Sequence, residues 1–293
     1  MDTHTLHAFV TVAEQGSFSA AADKLFLTQS AISKRVAQLE EQLGNRLFDR
    51  IGRTISLTEA GQALLPRARK ILLELDDARR TLGNLSGTVS GTLSLAASHH
   101  ISLHRLPPIL RRFSLDYPSV QLDLRFDESE IAYEGVLRGE LELALITLAP
   151  HPDRNILSRA VWQDRLCYVA SPDHPLANRG RLELDELTDY TAILPGEQTF
   201  TRELVGQLFQ KRGLSLSVAM STNYLDTIRM MVSIGLGWSL LPETMLGDDL
   251  QVLEVNAEPV YRQLGYIHHR NRTLSNAANR LVELLTAAGS SAN

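Results

Sequence analysis

The sequence predicts an α+α/β protein: a small winged three-helix unit, a long connecting helix, and two α/β lobes placed in series. Three observations predict it. Helical periodicity dominates the first 82 residues, a glycine-rich break follows at residues 83–91, and beyond it apolar extended runs alternate with helical ones. At 293 residues the chain has room for one small and one larger domain.

The first helix is expected over residues 3–15, where Leu6, Phe9, Val10 and Ala13 fall at helical spacing and Asp2 and Glu14 interrupt any continuous apolar run. Ser17 supplies an N-cap for a second helix over 18–25, and Thr28 another for a third that runs to 43. In the third helix Ile32, Val36, Leu39 and Leu43 make one buried stripe, leaving Gln29, Ser30, Ser33, Lys34 and Arg35 on the other side. Short polar groups at the N-terminal end with bases one turn later suit a helix entering a major groove: amides and hydroxyls reach base edges while cations meet phosphates. Residues 47–61, LFDRIGRTISLTEAG, then read as two short arms around Gly52, a wing carrying Arg50 and Arg53. From Lys24 to Arg53 six bases stand against three acids, a local excess that the whole chain, with net charge −5, does not share. Three amphipathic helices with exposed bases also fit a small bundle with no nucleic acid.

The ordered run over residues 17–61, SFSAAADKLFLTQSAISKRVAQLEEQLGNRLFDRIGRTISLTEAG, closely resembles the winged helix-turn-helix of LysR-type transcription regulators. The resemblance lies in the alanine-rich second helix, the Gln-Ser-Ala-Ile-Ser start of the third and the Leu-Phe-Asp-Arg entry to the wing. It implies DNA contacts from Thr28, Gln29, Ser30, Ser33, Lys34 and Arg35, with Arg50 and Arg53 tracking the backbone from the wing.

Beyond Thr58, residues Leu64, Ala68, Ile71, Leu75, Ala78 and Leu82 alternate spacings of four and three, a heptad seam that predicts pairing with a second copy of the helix. About three heptads and an early Pro66 make an isolated coiled coil weak, and a helix packed on its own domain fits the same pattern. The LysR-type resemblance favours pairing. It implies a homodimer reading promoter DNA with an interrupted dyad, a homotetramer built as a dimer of dimers, and contact with RNA polymerase. The stretch GNLSGTVSG is expected to stop the helix and act as a hinge.

After Gly91 the order strand, helix, strand repeats through GTLSLAAS, HRLPPILRRFSLDY, VQLDLRF, a helix near 130–139, and ELALIT, and a similar series resumes near Trp162. This rhythm predicts a mostly parallel sheet covered on both faces. The two lobes resemble the periplasmic-binding-protein-like effector domain of LysR-type regulators, on the landmarks FSLDYPSVQLDLRF, LRGELELALIT and MVSIGLGWSLLP. The expected limits are 1–58 for the winged helix-turn-helix, 59–83 for the linker helix, 84–90 for the hinge and 91–293 for the effector domain. Within the last, lobe I takes 91–161 and 266–293, and lobe II takes 162–265.

Helices that begin just past strand ends aim unpaired amides at the gap between such lobes and favour an anion or zwitterion. Ser98, His99, His100, Thr147, Thr199, Thr201 and Thr222 each sit at or beside an expected strand end and are the candidate effector contacts. The expected effector is a small carboxylate or amino-acid-like anion.

His99, His100 and His104 share helical spacing, but neither a local cysteine nor a well-placed pair of carboxylates completes a ligand set, so neither a metal nor a cofactor is expected. The single cysteine, Cys167, lies in the apolar run DRLCYVAS and is expected buried in a strand. Neither a glycine-rich phosphate loop after a strand nor a Gly-x-Ser-x-Gly elbow occurs, and no acid-base pair can be placed, so no catalysis is expected. No apolar stretch reaches the roughly 20 residues a membrane span needs, and no leader pattern opens the chain; a cytoplasmic, membrane-free protein is expected.

Overall fold

A computed structural model describes residues 1–51 and 54–290, without the side chains of Arg50, Ile51 and Thr54. The chain forms two compact units, Met1–Ser86 and Gly87 onward.

In the first unit α1 (Thr3–Gln15), α2 (Phe18–Lys24) and α3 (Gln29–Leu43) precede a hairpin of β1 (Phe48–Ile51) and β2 (Thr54–Leu57), and α4 (Glu59–Asn84) closes it. Local chemistry sets the starts: Asp2, Ser17, Thr28 and Thr58 each accept a hydrogen bond from a first-turn amide. Gly16 and Gly44 end α1 and α3 in the left-handed conformation that L side chains avoid. Ile32, Val36 and Leu39 are fully buried with Phe9, Phe18 and Phe48, and such burial is worth roughly 1.5–3 kcal/mol for a large apolar side chain. Glu40 joins α3 to the hairpin, its Oε1 accepting from the amides of Leu47 at 2.7 Å and Phe48 at 3.3 Å.

Helix α4 departs from the expected seam. Ala68 is 0% exposed inside this unit's own core, Leu64 packs against the same core, and Leu72 is buried there too. The Arg69 guanidinium fixes that face by donating to Glu14 of α1 at 3.1 and 3.2 Å. Ala68 is therefore unavailable to a second helix, because the positions that start the heptad are spent on the domain itself. Ile71, Ala78 and Leu82 are exposed and Leu75 is half-buried. The helix also runs one residue past Gly83, and it is Gly87 that adopts positive φ.

The second unit begins with β3 (Gly91–Ala97), α5 (His99–His104), α6 (Pro107–Asp116), β4 (Val120–Phe126), α7 (Ser129–Leu137) and β5 (Leu143–Thr147). Then come β6 (Ile156–Ala170), β7 (Leu182–Glu183), β8 (Ala192–Leu194), α8 (Phe200–Gln210), β9 (Val218–Ser221), α9 (Leu225–Ser233) and β10 (Ser239–Pro242). The short strands β11 (Gln251–Val252) and β12 (Val255–Asn256), the long β13 (Val260–His269) and α10 (Asn276–Ser290) complete it.

The main sheet has the order β10-β6-β13-β5-β3-β4 and is mixed, where a mostly parallel sheet was expected. Strands β4, β3 and β5 are parallel, whereas β13 runs antiparallel to both β5 and β6, and β10 antiparallel to β6. The expected lobe limits, at 161/162 and 265/266, fall inside the continuous strands β6 and β13. One lobe packs α6 and α10 on one face of this sheet, through Phe113 and Leu281, and α7 on the other, through Ala132 and Val136. The other lobe adds a parallel β8-β9 pair with α8 beneath it, through Val205 and Phe209, and α9 on the opposite side, through Ile228 and Val232.

Two features pin the long pair. Its register shifts between Leu264 and Gly265, where a Cβ on Gly265 would collide with the Arg159 carbonyl. Directly across the ladder, Arg262 faces Asp164 and donates to its Oδ2 from Nε at 3.2 Å and Nη2 at 2.8 Å. Arg105 donates to Asp164 Oδ1 at 3.1 Å, and His100 Nε2 stands 3.2 Å from Oδ2. Burial alone would raise the Asp164 pKa, but His100 and the Arg262 charge outweigh it and hold the carboxyl well below the usual range.

Replacing Gly265→Ala should destabilise this unit by about 1–3 kcal/mol through overpacking against rigid backbone, read as a lower midpoint in chemical denaturation. Asp164→Asn should cost more, about 3–5 kcal/mol at pH 7, because it leaves the buried Arg262 charge without its counter-ion. Since the folded carboxyl titrates below its unfolded value of about 3.9, its contribution is complete above that pH and fades on acidification. The gap between Asp164→Asn and the parent should therefore narrow when denaturation is repeated below about pH 4, and a constant gap would refute the ion-pair account.

Candidate functional site

Two sets of polar side chains stand out, one in each unit. On α3 the expected reading face is solvent-facing: Thr28, Gln29, Ser30 and Lys34 are exposed, and Ser33 and Arg35 are half-buried. Thr28 caps the helix through Ala31 N at 3.2 Å, and its hydroxyl also lies 3.0 Å from Ser30 Oγ. Gln29 Oε1 accepts from Ser19 Oγ at 3.2 Å, which sets the amide against α2. Among the described residues neither Lys34 nor Arg35 is within ion-pair distance of a carboxylate, so both cations are open to phosphate. On the wing, β1 carries the Arg50 backbone, whereas the Arg50 side chain and all of Arg53 lie outside the described residues.

In the second unit a cavity of about 280 Å³ opens between the lobes. Six of the seven residues expected there line it: Ser98, His99, His100, Thr147, Thr199 and Thr201. Thr222 does not; its hydroxyl instead accepts from Tyr224 N at 3.4 Å, making a local turn before α9. The sheet explains the convergence. Ser98 and Thr147 follow or end neighbouring strands β3 and β5, and Thr199 caps α8 after β8, its Oγ1 accepting from Arg202 N at 3.1 Å.

Sequence reasoning missed several lining residues, notably Arg262, Glu130, Phe126 and Tyr224. Arg262 is only 3% exposed and is the third residue of β13, brought to the cavity by the pairing of that strand with β6. Glu130 corrects the picture of α8 as a vacant anion site. Its Oε1 already accepts from Phe200 N at 2.7 Å, so an internal carboxylate from α7 caps the helix. Burial pushes the Glu130 carboxyl up, against the stabilising pull of that amide. Two ring contacts also cross between lobes: Tyr133 with Phe200, and His99 with Tyr224, at centroid distances of 5.7 and 5.2 Å.

His100 and His104 rings lie 4.8 Å apart one turn from each other, and burial lowers the His100 pKa against the pull of Asp164, leaving a neutral imidazole near pH 7. Among the described residues no three His, Cys, Asp or Glu side chains are placed to hold a metal ion. Cys167 is a free, buried residue of β6, and burial raises its thiol pKa. No helix among the described residues is long and apolar enough to cross a membrane.

Comparison with known proteins places both units. Residues 3–62 match the family described as bacterial regulatory helix-turn-helix protein, lysR family, and residues 86–290 match the LysR substrate binding domain. An uncharacterised HTH-type transcriptional regulator from an ibpB-leuC intergenic region of Azotobacter vinelandii is 65% identical over 108 residues, covering 37% of this chain and 75% of that protein. The uncharacterised HTH-type regulator YfeR of Shigella flexneri is 30% identical across 97% of this chain and 93% of its own length. Among solved structures, a full-length OxyR variant from Pseudomonas aeruginosa shares the fold, with a TM-score of 0.69 at 23% identity, over 99% of this chain and 94% of that one. The chain thus belongs to the LysR family of transcriptional regulators, with a DNA-binding helix-turn-helix unit followed by an effector-binding domain.

Proposed function

We propose that this regulator reads promoter DNA carrying an interrupted dyad through the Thr28–Arg35 end of α3. In this reading it works in the cytoplasm as a homodimer or homotetramer, and a small molecule bound between the lobes of its second unit controls its contact with RNA polymerase. The observation that carries the DNA half is the polar face of α3, where, among the described residues, no carboxylate pairs with Lys34 or Arg35 beside Gln29, Ser30 and Ser33. The wing residues Arg50 and Arg53 are assigned to phosphates by family resemblance. The observation that carries the effector half is the cavity itself. It brings the side chains of Ser98, Thr147 and Thr201, each over nine-tenths buried, to one space without any hydrogen-bond partner among the described residues for their hydroxyls. Hydroxyls left without a protein partner on the wall of a cavity are free to hydrogen-bond a small molecule held there.

Self-association is assigned to the exposed row of α4, Ile71, Leu75, Ala78 and Leu82, continued by Leu85 and without Ala68. Leu82 is 69% exposed, and an apolar row of this kind on a 26-residue helix is best buried against a symmetric copy. An amino-acid-like molecule with a carboxylate suits the cleft, because Arg262, held by Asp164, and the hydroxyls beside it offer donors at the buried end.

Replacing Lys34→Ala should weaken binding to all duplexes and flatten the dependence of log K on log salt by about one unit, measured by fluorescence anisotropy at several salt concentrations. Gln29→Ala should instead relax preference among promoter sequences, costing about 1–3 kcal/mol of discrimination. An unchanged salt slope in Lys34→Ala would remove α3 from the interface.

Replacing Leu82→Glu should lower the assembly state in sedimentation equilibrium without shifting the unfolding midpoint, since Leu82 touches nothing in its own unit's core. An unchanged sedimenting mass would place the subunit contact elsewhere.

A further inference from the structure

The cavity between the lobes has two chemically distinct ends. The buried end carries the Ser98, Thr147 and Thr201 hydroxyls and the Arg262 guanidinium, all on residues under a tenth exposed. The open end carries Phe126 and Tyr224, 63% and 54% exposed, together with Asp127, Glu128 and Asp226. With Glu130, that makes four carboxylates lining the cavity against one permanent cation, Arg262, which already faces Asp164.

Among the described residues no lysine or arginine lies within ion-pair distance of Asp127, Glu128 or Asp226, and Glu130 is spent on Phe200 N. A simple carboxylate would find donors at the buried end and repulsion along the rest of its length. Acids beside exposed aromatic faces are the surroundings an ammonium group prefers, through charge pairing and attraction to the ring quadrupole.

We infer that the effector is a zwitterion of amino-acid type. Its carboxylate lies at the Ser98, Thr147, Thr201 and Arg262 end, and its ammonium lies at the open end between Phe126 and Tyr224, among Asp127, Glu128 and Asp226. The inference rests on the cavity being the effector site and narrows the ligand class of that site. It also gives the acids of the β4 to α7 turn a specificity role: they reject an acid of the same skeleton that lacks the amine, through uncompensated negative charge.

Isothermal titration calorimetry on the full chain tests it with matched probes: α- and ω-amino acids of two to six carbons, each beside the same acid without its amine. At least one amino acid should bind ten times or more tighter than its deaminated partner, and Asp127→Asn with Glu128→Gln should erase most of that ratio. A deaminated acid that binds as tightly as its parent overturns the zwitterion while keeping the cleft, provided Ser98→Ala with Thr201→Val still weakens it at least tenfold. Amino-acid binding that survives Ser98→Ala with Thr201→Val unchanged moves the ligand out of the cavity and overturns the cleft reading as well. Binding of neither probe series overturns the zwitterion inference.

Discussion

The second unit depends on one antiparallel ladder, the pairing of β6 with β13 from Ile156–His269 to Leu166–Val260. Each strand is long enough to serve both lobes, so the sheet does not end where the first lobe ends. The ladder is held by backbone hydrogen bonds, by the register shift beside Gly265, and by the Asp164–Arg262 pair directly across it. A buried ion pair is a costly way to stabilise a sheet, since desolvation offsets most of the Coulombic gain. Here it has a second effect: two guanidiniums and an imidazole converge on one carboxylate at the edge of the inter-lobe cavity, so the same contact that fixes strand register sets the charge at the cavity's buried end.

That arrangement shapes what a ligand can do. A molecule bound between the lobes would replace solvent around buried hydroxyls and stand beside the contacts that already bridge them, Glu130 with Phe200 N and His99 with Tyr224. A ligand shifts a conformational equilibrium only by its difference in affinity between two states. These cross-lobe contacts lie beside the cavity of about 280 Å³, while β6 and β13 run continuously through both lobes.

The first unit shows an economy of a different kind. Helix α4 faces its own domain at its beginning and solvent further along, so one helix serves domain stability first and offers an unpartnered apolar row second. Ala68 and Leu72 are drawn into the core by proximity to α1, where Arg69 locks onto Glu14. The chain has left that core by the time it reaches Leu82 and Leu85.

The sequence by itself determined what depends on neighbours within a few residues. The caps at Ser17 and Thr28, the polar face of α3 and three of the four stripe residues, Ile32, Val36 and Leu39, follow from helical period and short-range hydrogen bonding and were legible; Leu43, expected in the same stripe, is exposed beside the Gly44 cap at the end of the helix. Six cleft residues were legible too, because strand ends in an α/β sheet converge by topology. Only the tertiary structure decided which face of α4 the domain would claim, since a heptad pattern is the same whether its partner is another copy or the core beneath. Only it revealed Arg262 and Glu130 in the cavity: one is held by Asp164, 98 residues away across the sheet, and the other lies on a helix 70 residues from the amide it caps. Contacts of that separation leave no period in a sequence, because they are set by how strands align, and the alignment of β6 with β13 is a property of the folded sheet.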